Sequence, residues 1–67
     1  MKVLKNRIKE LRARKNLSQE ALAKKAKITR GTLLLIERGE TEPSGKSMMS
    51  IAKALEEKVE DIFLSEL

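Results

Sequence analysis

The chain contains no cysteine and no histidine. Disulfide staples, Cys/His zinc sites, thiol nucleophiles and imidazole acid–base chemistry are excluded together. Tryptophan and tyrosine are also missing, which leaves Phe63 as the single aromatic side chain in 67 residues. Acidic residues beyond Gly39 are scattered over helical positions and a loop, with neither a paired Asp/Glu metal motif nor a nucleophile–base pair. An enzyme is therefore not expected, nor is a metal or a cofactor. No apolar run approaches the roughly 18 residues of a membrane span, and the basic N-terminus runs on into amphipathic sequence without a signal-peptide core. These absences read as a soluble intracellular protein of the cytoplasm.

What is present is 40% hydrophobic and 37% charged, enough apolar material to fold and enough charge to stay in solution. A chain this short buries only about 60% of the surface that its unfolded form exposes, so residues 1–67 make one domain with no room for a second. The net charge of +5 conceals an asymmetry: residues 1–38 carry 12 Lys/Arg against 3 Asp/Glu, and residues 39–67 carry 3 against 7. One half suits a polyanion, whether nucleic acid or an anionic membrane surface, and leaves the other half free for other partners.

Hydrophobic spacing predicts helices throughout. Leu4, Ile8 and Leu11 form the stripe of a first helix ending near Lys15, with Asn16 placed for a left-handed cap. Ser18 is an N-cap for a second helix that buries Leu22, Ala23 and Ala26, with Glu20 in its first turn. Thr29 caps a third over residues 32–38, and Gly39 stops it. After the turn sequence GETEPSG, Ser44 opens a fourth helix whose stripe is Met48, Ile51, Ala52 and Leu55. A short fifth covers residues 59–64. No strand pattern or repeat is present, so the fold class is all-α, with five helices. The expected core is Leu4, Ile8, Leu11, Leu17, Leu22, Ala23, Ile28, Leu33, Ile36, Met48, Ile51, Ala52, Leu55, Ile62 and Phe63.

Only residues 27–29 separate the second and third helices, the turn length of a helix-turn-helix, and the small Ala23 permits a close crossing. If Leu33 and Ile36 face inward, the 3.6-residue period turns Arg30, Gly31, Leu34, Leu35 and Arg38 outward. That face fits a major groove.

LSQEALAKKAKITRGTLLLIERG resembles the helix-turn-helix of the lambda repressor/Cro family, also called the XRE family. The similarity runs over residues 6–63: IKELR, LSQ-x-x-LA, T-x-x-x-I-E-R-G, Pro43-Ser44, IAKAL and EDIF occur in the family's order and spacing. The resemblance implies a compact five-helix, lambda-repressor-like domain that regulates transcription. It would act, as a repressor, by binding a near-palindromic operator in double-stranded DNA as a homodimer, with its third helix in the major groove. It assigns Gln19 to a phosphate contact, and Thr29, Arg30, Gly31, Thr32 and Leu35 to positions that meet the groove. Arg30 is suited to guanine O6 and N7, and an apolar Leu35 to a thymine methyl. Base readout is thus expected of Arg30, Gly31, Thr32 and Leu35. Phosphate contacts are expected of Gln19, Thr29, Lys5, Lys24, Arg38 and Lys46. Arg12 and Glu37 sit at the edges of buried stripes and match a family Arg–Glu pair, so a salt bridge is expected between them. Val59, Leu64 and Leu67 are apolar residues left over for a dimer interface.

The chain departs from the family pattern at several points. Lys27 and Glu56 stand where glycine is usual, Lys58 replaces a Ser/Thr cap, and Gly31, Leu34 and Leu35 replace commoner polar residues. The leucine pair supports a second reading, an antitoxin-type or other protein-interaction module with reduced DNA readout, and leaves room for a regulatory protein partner.

Overall fold

The computed structural model describes residues 5–63 and places five helices along them: α1 (Ile8–Arg14), α2 (Gln19–Ala26), α3 (Arg30–Glu37), α4 (Gly45–Leu55) and α5 (Val59–Ile62). Three of the starts are written locally. The hydroxyl oxygens of Ser18, Thr29 and Ser44 accept from the backbone N–H three residues on, at 3.0, 3.1 and 3.1 Å, satisfying donors that a helix leaves unpaired. The other two starts differ. Arg7 precedes α1 without a capping bond of its own, and Lys58 likewise opens α5 without a side-chain cap. Glu60 and Asp61 in the first turn of α5 suit its positive end in place of that cap.

Four helix ends share one device. Asn16, Lys27, Gly39 and Glu56 all take a left-handed conformation, with φ of 57°, 60°, 73° and 58°. Each donates its N–H to the carbonyl three residues back, and the following N–H reaches the carbonyl five residues back: Leu17 to Arg12, Ile28 to Ala23, Glu40 to Leu35 and Glu57 to Ala52, at 2.9–3.0 Å. This doubled closure satisfies carbonyls that the helix abandons, and it turns the chain sharply enough for the next helix to pack back. Glycine takes the conformation without strain only at Gly39.

The core is contributed by every helix: Ile8, Leu11, Leu22, Ala23, Ala26, Leu33, Ile36, Ile51, Ala52, Leu55, Ile62 and Phe63 are buried. The α2 helix packs against both α3 and α4, and α5 packs against α4. Ala23 is buried within α2, where a larger side chain would hold a neighbouring helix off.

The sequence expectations need correcting at several points. Leu17, Ile28 and Met48 line the core only partly buried, while Ala26 is buried as the stripe of the second helix required. Residues 5–7 are not helical, so the first helix starts at Ile8, and Leu4 lies outside the described residues. The start is displaced because the backbone N–H of Arg7 is spent on the carbonyl of Ile62 at 2.8 Å, tying this segment to α5. The fifth helix ends at Ile62, not at residue 64, because Phe63 leaves helical angles to enter the core. Beside these junctions Arg7 hydrogen-bonds Glu10, at 3.1 Å from Nε and 3.0 Å from Nη2. That bond is the main reason the Glu10 carboxyl lies below its ordinary pKa.

A left-handed lysine or glutamate costs about 1–2 kcal/mol against glycine, of which glycine's greater unfolded-state freedom gives back a part. Lys27→Gly and Glu56→Gly should therefore each stabilise the domain by about 0.5–1 kcal/mol, and Gly39→Ala should destabilise it by about 1 kcal/mol. Urea melts of the three variants check this, and a loss of stability in both glycine variants would contradict it.

Candidate nucleic-acid interface

The α2–α3 unit is a rigid corner. Residues 27–29 join the helices, the left-handed Lys27 makes the bend, and Thr29 caps α3 at φ −76°, ψ 154°. The Thr29 hydroxyl accepts from the Thr32 N–H and donates to the Thr32 hydroxyl oxygen at 2.8 Å. Thr32 thereby accepts one bond and keeps its own hydroxyl proton to donate.

Arg30, Gly31 and Thr32, in the first turn of α3, are exposed. No acidic residue stands in that turn, so nothing in the turn itself neutralises the positive end of the helix. Arg30 has no ion-pair partner among the described residues. A Cβ placed on Gly31 would meet nothing within 4 Å, so no packing inside the protein requires glycine there. Leu35, one turn further along, is 42% exposed. Leu34 departs from expectation: it is half-buried, leaving Leu35 as the large apolar side chain on this surface.

The expected phosphate contacts lie on several elements. Gln19 is the first residue of α2 and half-buried, Lys24 is exposed later in the same helix, and Lys46 is exposed in the first turn of α4, which also lacks an acidic residue. Lys5 is exposed ahead of α1. Arg38 is exposed at the end of α3, 3.9 Å from the Glu40 carboxylate, a separation that leaves the guanidinium available to a stronger anion.

The far end of α3 is fixed by Arg12. Its Nε and Nη2 donate to the two carboxylate oxygens of Glu37 at 2.6 and 3.3 Å, and its Nη1 donates to the carbonyl of Leu17 at 3.0 Å. Side-chain exposure is only 14% and 6%. One planar guanidinium thus joins α1, the turn before α2 and the end of α3, in a forked geometry that lysine cannot reproduce.

Val59, expected at a dimer interface, is half-buried against the core and lines a shallow apolar groove of about 390 Å³ between α4 and α5. Met49 lies in the same groove and is 67% exposed. Sequence reasoning passed over it because it falls outside the buried stripe of α4; its signal was that same misfit. Leu64 and Leu67 lie outside the described residues.

Two short helices joined by a three-residue turn, with the second presenting a capped, cationic end to solvent, define a helix-turn-helix of DNA-binding fold. A helix-turn-helix family profile matches residues 8–62. A transcriptional regulator of helix-turn-helix type from Methanocaldococcus jannaschii, MJ0272, is 48% identical over 63 residues, covering 94% of this chain and 96% of that one. Among solved structures, the restriction-modification controller protein C.AhdI from Aeromonas hydrophila superposes with a TM-score of 0.79 at 34% identity, covering 82% of this chain and 83% of that chain. The P22 c2 repressor, solved in complex with a synthetic operator, superposes at 0.76 with 31% identity over 81% and 82% of the two chains. The chain belongs to the helix-turn-helix family of the Cro/C1, or XRE, type, a family of transcriptional regulators and not of enzymes.

Removing one partner from a largely buried ion pair strands the other charge, at a cost on the order of 3 kcal/mol. Glu37→Gln should therefore lower Tm by at least about 10 °C. A thermal melt that leaves Tm unchanged would show that the pair contributes nothing to holding α3.

Proposed function

We propose that the protein is a sequence-specific regulator that binds double-stranded DNA, a repressor acting in the cytoplasm on the nucleoid, with α3 entering the major groove of a near-palindromic operator. The observation that carries this reading is the exposed, unneutralised start of α3 with Arg30 on it, held at one end by the Thr29 cap and at the other by Arg12 and Glu37. A groove about 12 Å wide admits such a helix. Arg30 is the base reader, bidentate on a guanine. Thr32 donates its free proton, Leu35 meets a thymine methyl, and Gly31 lets the DNA approach the helix backbone. Gln19, Thr29, Lys5, Lys24, Arg38 and Lys46 hold phosphates and fix the register.

Two copies act together. Eight residues of helix span only about 12 Å and read a few base pairs, so two-fold pairing doubles the contact without new sequence. The groove between α4 and α5 supports this pairing, since Met49 and Val59 are apolar surface and no residue of α3 contributes to it. Leu64 and Leu67 are proposed as further residues of the dimer interface. Exposed Leu35 favours a second reading, a protein-interaction module that takes a regulatory protein on this face.

Salt dependence separates the two readings. Titrated with duplex DNA, a phosphate-binding protein loses affinity steeply as salt rises, whereas a hydrophobic module does not. Once selection from a random duplex library has given a site, Arg38→Ala should weaken binding to specific and scrambled duplexes alike and shallow the salt slope by about one unit. Arg30→Ala should instead cost about 1–3 kcal/mol on the preferred site alone. Equal losses on both duplexes would make Arg30 a phosphate clamp. Met49→Glu should weaken self-association by about tenfold or more without unfolding the exposed site. Sedimentation showing a monomer on the operator would remove the dimer.

A further inference from the structure

The segment ahead of α1 does more than lead into it. The Asn6 side chain uses both ends of its amide: Oδ1 accepts from the Ile8 N–H at 3.1 Å, and Nδ2 donates to the Ile36 carbonyl, thirty residues away, at 2.9 Å. Only one orientation of the amide satisfies both partners, because the reverse would set donor against donor and acceptor against acceptor. The first bond is a local Asx turn that opens α1 in place of a cap on Arg7. The second falls at the C-terminal end of α3, on a carbonyl that also accepts from Gly39 at 3.0 Å, so both of its lone pairs are engaged.

The neighbouring residue extends the tie. Arg7 donates its backbone N–H to the Ile62 carbonyl at 2.8 Å and its Nη1 to the Asp61 carbonyl at 3.2 Å. Two consecutive residues therefore bind the start of α1, the end of α3 and the end of α5 to one point. The Arg12–Glu37 pair reaches α3 through the Glu37 side chain. Asn6 instead grips the backbone of α3 itself, one residue before Glu37, so the two bonds together fix both the tilt and the roll of that helix end.

We infer that Asn6 is a positioning residue for sequence reading, which sets the angle at which α3 meets DNA without touching DNA itself. The inference rests on the DNA-binding reading above. A base contact needs its side chain held within about 0.5 Å and 10–20° of the productive geometry, whereas a flexible phosphate contact does not. Loss of the strut should consequently damage discrimination and spare general affinity.

The test uses the full chain with two variants. Asn6→Ser keeps a short acceptor for the Ile8 N–H and cannot reach Ile36. Asn6→Asp keeps the length and the acceptor but has no proton to donate at neutral pH, and its added charge affects specific and scrambled duplexes alike. Each is measured well below its own Tm, on the selected site and on a scrambled duplex, alongside the amide resonances of residues 36–39. The ratio of specific to scrambled affinity should fall about tenfold in both variants, the size of losing one base contact. The scrambled-duplex salt slope of Asn6→Ser should stay unchanged, and the Gly39 amide should shift. A purely structural role would lower both affinities in parallel with the folded fraction. A ratio within about twofold of the parent in both variants overturns the inference alone. A parent chain that selects no duplex overturns the DNA-binding reading and this inference with it.

Discussion

Everything the α3 surface can do depends on where the guanidinium of Arg12 sits. Its donors are divided between a carboxylate at the end of α3 and a carbonyl at the entrance to α2. It therefore fixes the distance between the two helices of the motif from outside the motif, on α1. A hydrophobic contact in the same place would be non-directional and would let α3 roll. The forked, charge-assisted bonds have fixed directions, and partial burial shields them from water and salt. Ala23 contributes from the other side, leaving the room in which the second and third helices approach.

A chain of 67 residues has little core to spend on orientation, since small domains bury a low fraction of their surface. Backbone closure fills the gap. The repeated left-handed end after α1, α2, α3 and α4 turns the chain within two residues, which lets five helices share one core. Its strain is accepted at Lys27 and Glu56, where the turn leads straight into the next helix. Lys27 adds a positive charge to the corner between α2 and α3, and Glu56 an acidic one between α4 and α5. The charge asymmetry between the two halves of the sequence is thus carried partly on positions that the backbone would prefer to give to glycine.

That asymmetry separates two surfaces. The start of α3 is cationic and contains no acid, while the first turn of α5 contains Glu60 and Asp61. The groove between α4 and α5 is lined by Lys46, Lys53 and Glu57 together with Met49 and Val59. The two-fold pairing proposed above would fall on this groove, where apolar side chains lie among charges of both signs.

Local physics made much of this legible in the sequence. The caps at Ser18, Thr29 and Ser44, the stripes of α2, α3 and α4, and the stop at Gly39 each depend on residues within one helical turn, so spacing alone determined them. The family motifs supplied the Arg12–Glu37 pairing, which periodicity could place only at stripe edges. The rest was decided by contacts between distant segments. Leu34 is half-buried and Leu35 exposed although both are leucines in one helix, because which flank of α3 is covered depends on its neighbours. The first helix waits until Ile8 because Arg7 is bonded to α5, and α5 stops at Ile62 because Phe63 is drawn into a core built by the other helices. No pattern in the sequence singles out Asn6; its second bond closes across thirty positions, and hydrophobic periodicity carries no information about a single polar contact at that range. Sequence patterns report which face of an element is apolar, but the roll and tilt of one element on another are set only when all the faces meet.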